Sequence, residues 1–173
     1  ENNEFVEQIV EQTNDADYKA GETVITEGNF FGSVFYAGNT VTSNSVSKGI
    51  GFLAGNSVTI NGVKDYVISA GNNVVIDGEV INDAILAGST VRISGKVGRD
   101  VIVAAANVVI SGEIDRNVKI YASEVTIKGN IKGNVDVNAE IINIEDGAVI
   151  GGYLNSNSNS TMNKGEEAVV GEL

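Results

Sequence analysis

The stretch Val91–Asn134, VRISGKVGRDVIVAAANVVISGEIDRNVKIYASEVTIKGNIKGN, states one phrase three times: VRISGKVGRD at 91–100, VVISGEIDRN at 108–117 and VTIKGNIKGN at 125–134. A fixed interval of this kind signals a repeat architecture, in which each copy is one unit that buries its apolar face only by stacking on its neighbours. Working outward from the phrase, a small-residue pair extends the register to both sides. Gly21, Gly38, Gly55, Gly71, Gly88, Ala105, Ala122 and Ala139 fall in one column, at steps of 17, 17, 16, 17, 17, 17 and 17. That makes eight copies, with one deletion near residues 63–66.

Three residues past this column stand Val24, Val41, Val58, Val74, Val91, Val108, Val125 and Ile142, and two further on Thr26, Ser43, Ile60, Ile76, Ile93, Ile110, Ile127 and Ile144. Residues two apart share one face of a strand, and β-branched side chains suit a half-buried pleat, so the two columns form an inward face. The residue between them is Ile25, Thr42, Thr59, Val75, Arg92, Val109, Thr126 or Asn143, the mixture expected of the outward side. A bend column follows, Gly28, Ser45, Gly62, Gly78, Gly95, Gly112, Gly129 and Asp146, where little bulk or a positive φ is called for.

Val80, Val97, Ile114 and Ile131 then point inward again, as do Ala84 with Leu86, Val101 with Val103, Val118 with Ile120, and Val135 with Val137. Asp83, Asp100, Asn117 and Asn134 precede the last set, as short polar side chains that satisfy turn backbone. Three short strands and three corners in each repeat predict an all-β, single-stranded parallel β-helix of about eight coils, right-handed. The inward set at 91, 93, 97, 101 and 103 does not keep the six-residue period of a hexapeptide left-handed helix. A flat meander would have no need of eight copies.

The rest of the composition narrows the function by exclusion. The chain has 173 residues, no Cys, no His and no Pro, and 42% hydrophobic residues, which fits one domain with a real core. The missing His and Cys remove the commonest general base, thiolate nucleophile and zinc ligands. A net charge of −12 argues against nucleic acid as a partner. The longest apolar run, Val101–Ala106, is too short for a membrane span. The absence of an initial Met raises the expectation of a processed leader such as a signal peptide, and hence of an extracytoplasmic protein, with a cytoplasmic one as the alternative.

Phrases such as ISGKVGRDVIVAAANVVISGEI and the closing INIEDGAVIGGYL (Ile142–Leu154) resemble bactofilins, the bacterial polymer-forming cytoskeletal proteins, and still more their exported, membrane-attached relatives. The resemblance covers about Tyr18–Leu154. It implies a right-handed β-helix of triangular section, self-association into oligomers or short polymers, and a role in organising the cell envelope, with membrane attachment only through segments outside this chain. The sequence departs from that pattern in its acidic residues 1–17 and in the tail after Leu154, where the period is lost.

Candidate sites are few. The pairs Glu113 with Asp115, Glu145 with Asp146, and Asp83 with Asp100 are the raw material for acid and base chemistry, but the repeats carry almost no insertions to wall a cleft. They read as solvated surface charge, so the chain is expected to be non-enzymatic and to need no metal or cofactor. Glu79, Lys96 and Glu113 share a column in which opposite charges would meet across rungs, and Arg99 and Arg116 share another.

The informative column is the outward Phe35, Phe52, Ile68, Ile85 and Ile102, followed by Lys119 and Asp136. Soluble monomers seldom leave an apolar stripe of this length uncovered. Two covers are expected: a second protein surface, or the leading segment NNEFVEQIVEQTN, in which Phe5, Val6, Ile9 and Val10 share one face of a short helix. The division predicted is an acidic covering segment at 1–17, the β-helix at 18–154, and at 155–173 a polar loop and tail whose last fragment rejoins the solenoid. The leading function is a structural or scaffolding module of a bacterial cell envelope. The alternative is an adhesin-like surface module binding a glycan or an envelope protein, with a polysaccharide-active enzyme a distant third.

Overall fold

The computed structural model describes residues 16–172, and the predicted covering helix with Phe5, Val6, Ile9 and Val10 lies outside them. The described residues contain strands and turns but no helix, and every strand pairing is parallel. The chain winds as a β-solenoid of about nine turns, one more than the eight copies counted in the sequence. Registers follow the predicted columns: Gly71 pairs with Gly88, Val91 with Val108, Ile110 with Ile127, and Val97 with Ile114.

Both strand columns are inward as expected. Val41, Val74, Val91, Val125 and Ile142 have no exposed surface, and neither do Ile60, Ile76, Ile93, Ile110 and Ile127. The apolar core is one continuous cluster running from Val24 to Ala168, aliphatic in the later turns and joined in the first turns by Tyr36 and by buried Thr26, Ser43, Ser45 and Lys64. Stacking supplies the burial that no single turn has, because each β-branched residue is packed above and below by its equivalents.

The bend glycines act mainly by close approach rather than by handedness. Of the glycines in the predicted column only Gly28 has a positive φ, at 100°. A Cβ at Gly95 would overlap the carbonyl oxygen of Gly78, and one at Gly112 that of Gly95. The corners therefore stack backbone on backbone, leaving no room for a side chain.

The acidic and amide column also works between rungs. Asp83 Oδ1 accepts from the Asp100 N–H at 2.9 Å, Asp100 Oδ1 from Asn117 at 3.0 Å, Asn117 Oδ1 from Asn134 at 2.9 Å, and Asn134 Oδ1 from Tyr153 at 3.1 Å. Each side chain satisfies the corner of the next turn rather than its own.

The sequence deletion is a β-bulge. Ser47 pairs with Lys64 but Ile50 with Tyr66, so Lys48 and Gly49 together face the single residue Asp65. Beyond Leu154 the winding continues, as predicted for the last fragment, but over a longer stretch: Thr161–Lys164 pairs with Ile141–Ile144, and Val169 and Val170 pair with Val149 and Ile150. The step per turn grows from 17 (Asn117 to Asn134) to 19 (Asn134 to Tyr153) and 20 (Asn143 to Asn163). Extra residues sit in turns such as the one at Gly147, whose φ is 86°.

Candidate interaction surface

Within the strand Val34–Ser43 the side chains alternate, Val34 and Tyr36 inward, Phe35 and Ala37 outward. The same alternation repeats rung by rung, so two parallel outward columns share one flat face. The first is a ridge: Phe35 pairs in register with Phe52, Phe52 with Ile68, Ile68 with Ile85, and Ile85 with Ile102. The structure thus brings all five predicted residues together. Tyr18, in register with Phe35, adds a sixth rung.

Exposure is high for such side chains at five of the six rungs, 69% for Tyr18, 36% for Phe35, 39% for Ile68 and 47% for Ile85 and Ile102, with Phe52 half-buried among them. The rings of Tyr18 and Phe35 stack at 4.9 Å and 5°, and those of Phe35 and Phe52 at 4.8 Å and 6°. These separations equal the rung spacing, so the rings stand out from the face as parallel plates.

Beside the ridge runs a trough of exposed alanines, Ala20, Ala37, Ala54, Ala70, Ala87 and Ala104. At its N-terminal end ridge and trough border an open depression of about 460 Å³. Both Tyr18 and the trough were missed as surface features. Tyr18 stands one full repeat before Phe35, and each trough alanine precedes a small residue of the aligned column, so the signal was present. The apolar face ends where Lys119, Asp136 and Asn155 continue the ridge and Tyr121 and Asn138 the trough. Lys119 Nζ lies 5.8 Å from the centre of the Tyr121 ring.

The candidate carboxylates are engaged elsewhere. Lys132 Nζ lies 2.9 Å from Glu113 and 3.1 Å from Asp115, and Lys96 reaches Asp115 at 3.7 Å. Partial desolvation, which would raise the Asp115 pKa, is outweighed by the two ammonium groups, and its carboxyl is held below the usual range. The Glu79, Lys96, Glu113 column is in register as predicted. Its salt bridges run differently, however: Lys96 prefers the diagonal Asp115, and Glu113 the lysine of the next turn. Arg116 lies 3.6 Å from Asp100 and Arg99 4.0 Å from Asp83. Glu145 lies 3.7 Å from Lys128, and Asp146 Oδ1 accepts from the Glu167 N–H at 3.0 Å. Among the described residues no three carboxylates converge as a metal site.

A second feature was legible only in part: Thr26 and Ser43 fall in the inward column, but Tyr36, Ser45 and Lys64 were not placed inside with them. The first three turns enclose a polar core: Thr26 Oγ1 lies 3.3 Å from Ser43 Oγ, Ser43 Oγ 3.1 Å from Ser45 Oγ, and Tyr36 Oη 3.0 Å from both Ser45 Oγ and Asp17 Oδ2. Lys64 occupies the inward position that Val80 and Val97 hold in later turns. It is fully buried and donates its ammonium to the Ser45 carbonyl. Desolvation lowers its pKa from 10.5 to about 8. Burial also raises the Tyr36 pKa, helped by Asp17 and opposed by the hydrogen bonds from Ser45 and Thr26. The signal for Lys64 lay in the deletion, which hides its alignment with Val80 by one residue.

Comparisons with protein-family models, with curated proteins and with solved structures find no match.

Proposed function

We propose that this chain is a non-enzymatic, self-associating structural module of a bacterial cell envelope. The observation that carries the reading is the six-rung apolar face, which no described residue covers. The two ends of the solenoid add to it. Among the described residues, the first strand, Asp17–Thr26, pairs on one side only, with Val34–Ser43, and Thr161–Lys164 and Val169–Glu172 likewise pair only with the turn before. Unpaired strand edges recruit further strands unless blocked. The placement in the envelope rests on the sequence resemblance to bactofilins, and the solenoid fold is compatible with it.

The test is light scattering with electron microscopy across protein and salt concentration. Residues 1–27 hold eight acids against Lys19, so copies repel at low ionic strength. Association therefore strengthens as salt shortens the Debye length from ~30 Å at 0.01 M towards ~8 Å at 0.15 M. A strict monomer under all conditions would overturn the reading and favour the adhesin-like alternative.

A further inference from the structure

We propose that the apolar face is a lateral interface between two copies of this chain, lying side by side with their solenoids running in the same direction, the ridge of each seated in the alanine trough of the other. This rests on the self-associating reading and gives it a surface and an orientation.

The argument is one of shape and period. Ridge and trough are two residues apart in the same strand, hence ~7 Å apart across the face, and both repeat at every rung of ~4.8 Å. An occupant that fills six such rungs evenly must itself repeat at the rung spacing, and a second copy does so by construction. A two-fold axis parallel to the solenoid lays each ridge on the partner's trough at the same height, so that Ile85 meets Ala87 and Phe35 meets Ala37. An axis across the solenoid would instead set ridge on ridge and leave the two troughs facing each other across an empty channel, forfeiting contact. Parallel docking also brings Lys119 of one copy beside Tyr121 of the other, an ammonium against an aromatic face where the apolar rungs end.

The area sets the strength. Six rungs of ~29 Å by ~10 Å give roughly 300 Å² per copy, well under the ~800 Å² of a standard stable interface. The isolated dimer is therefore weak and concentration-dependent, and it gains most where copies are already held together and the second contact becomes intramolecular.

The chain has no Cys, so introduced thiols report without background. Ile85→Cys and Ala87→Cys proteins, otherwise intact, are mixed at high concentration under mild oxidation, and Phe52→Cys is mixed with Ile68→Cys in parallel. The 85 and 87 pair should cross-link and the 52 and 68 pair, which ridge-on-ridge antiparallel docking would bring together, should not. Ala87→Arg, at an exposed site, should weaken dimerisation at least roughly tenfold by light scattering while the thermal melt stays unchanged. Assembly that survives Ala87→Arg, or that links 52 with 68, overturns this interface and leaves self-association standing. A strict monomer overturns both. Face thiols that react with maleimide only after residues 1–15 are deleted would assign the face to the chain's own leading segment, and would also overturn the proposal.

Discussion

Replacing Lys64 by Met should stabilise the protein, although it removes a hydrogen bond. The lysine is buried in an interior column that is otherwise aliphatic after it, and burial lowers its pKa from 10.5 to about 8. One pKa unit corresponds to ~1.4 kcal/mol, so at pH 7 the charged amine costs the fold about 3 kcal/mol. Met is close in length and lacks the charge, but it leaves the Ser45 carbonyl without its donor, a loss of about 1 kcal/mol. The net gain expected at pH 7 is about 2 kcal/mol.

The pH dependence carries a signature of its own. Between pH 8 and 10.5 the folded chain has released the Lys64 proton while the unfolded chain still holds it, so wild-type stability rises with pH through that window. The penalty is present in full below pH 8 and gone above 10.5. From pH 7 to pH 9.5 the wild type should gain about 2 kcal/mol relative to Lys64→Met. Tyr36 titrates in both proteins, and the difference between them cancels it. Urea denaturation at the two pH values measures the effect. A variant no more stable than wild type at pH 7, or one sharing its pH slope, would refute the assignment of a charged, desolvated lysine to the core.

Ile110 is fully buried between Ile93 and Ile127, so Ile110→Asp should cost several kcal/mol, and a melt within a degree or two of wild type would disprove the inward column. Gly112→Ala should destabilise by about 2 kcal/mol or more, because its methyl overlaps the Gly95 carbonyl oxygen, and an unchanged urea midpoint would contradict the stacked-corner geometry. Asn117→Ala deprives the Asn134 N–H of its acceptor and should cost about 1 kcal/mol, with faster amide exchange at Asn134 as the local readout.

How much of this was readable depends on how each feature is encoded. The inward columns and the apolar ridge were legible because both are periodic, and a period survives in sequence whatever the packing details. The bulge at Lys48 and Gly49 was visible as a missing residue, but its effect on Lys64 was not, since a deletion breaks the alignment at the place where the unusual residue sits. The salt bridges were only half legible. Register fixes which backbones are neighbours, whereas long side chains choose diagonally, as Lys96 does in reaching Asp115. The last turn was legible only as a return to the solenoid, because its longer step, from Asn143 to Asn163, no longer shares the phrase that defined the others.

The unequal lengths of the turns bear on how such a chain finds one answer. Near-identical phrases invite a nascent turn to dock on the wrong copy, skipping a rung or doubling one, with most native contacts imitated. Where the steps are uniform such an error keeps all side chains on their proper sides, and little penalises it. A turn of the regular length wound across the bulge ends one residue out of phase and turns its apolar side chains out to water. One wound across the longer step from Asn134 to Tyr153 stops two residues short, in phase but with its strand laid over a corner. The irregular turns thus serve as index marks on an otherwise uniform scale. Slipped, kinetically trapped species should not extend across them, and should be most numerous in the long uniform stretch between the two, where one phrase cannot be told from the next.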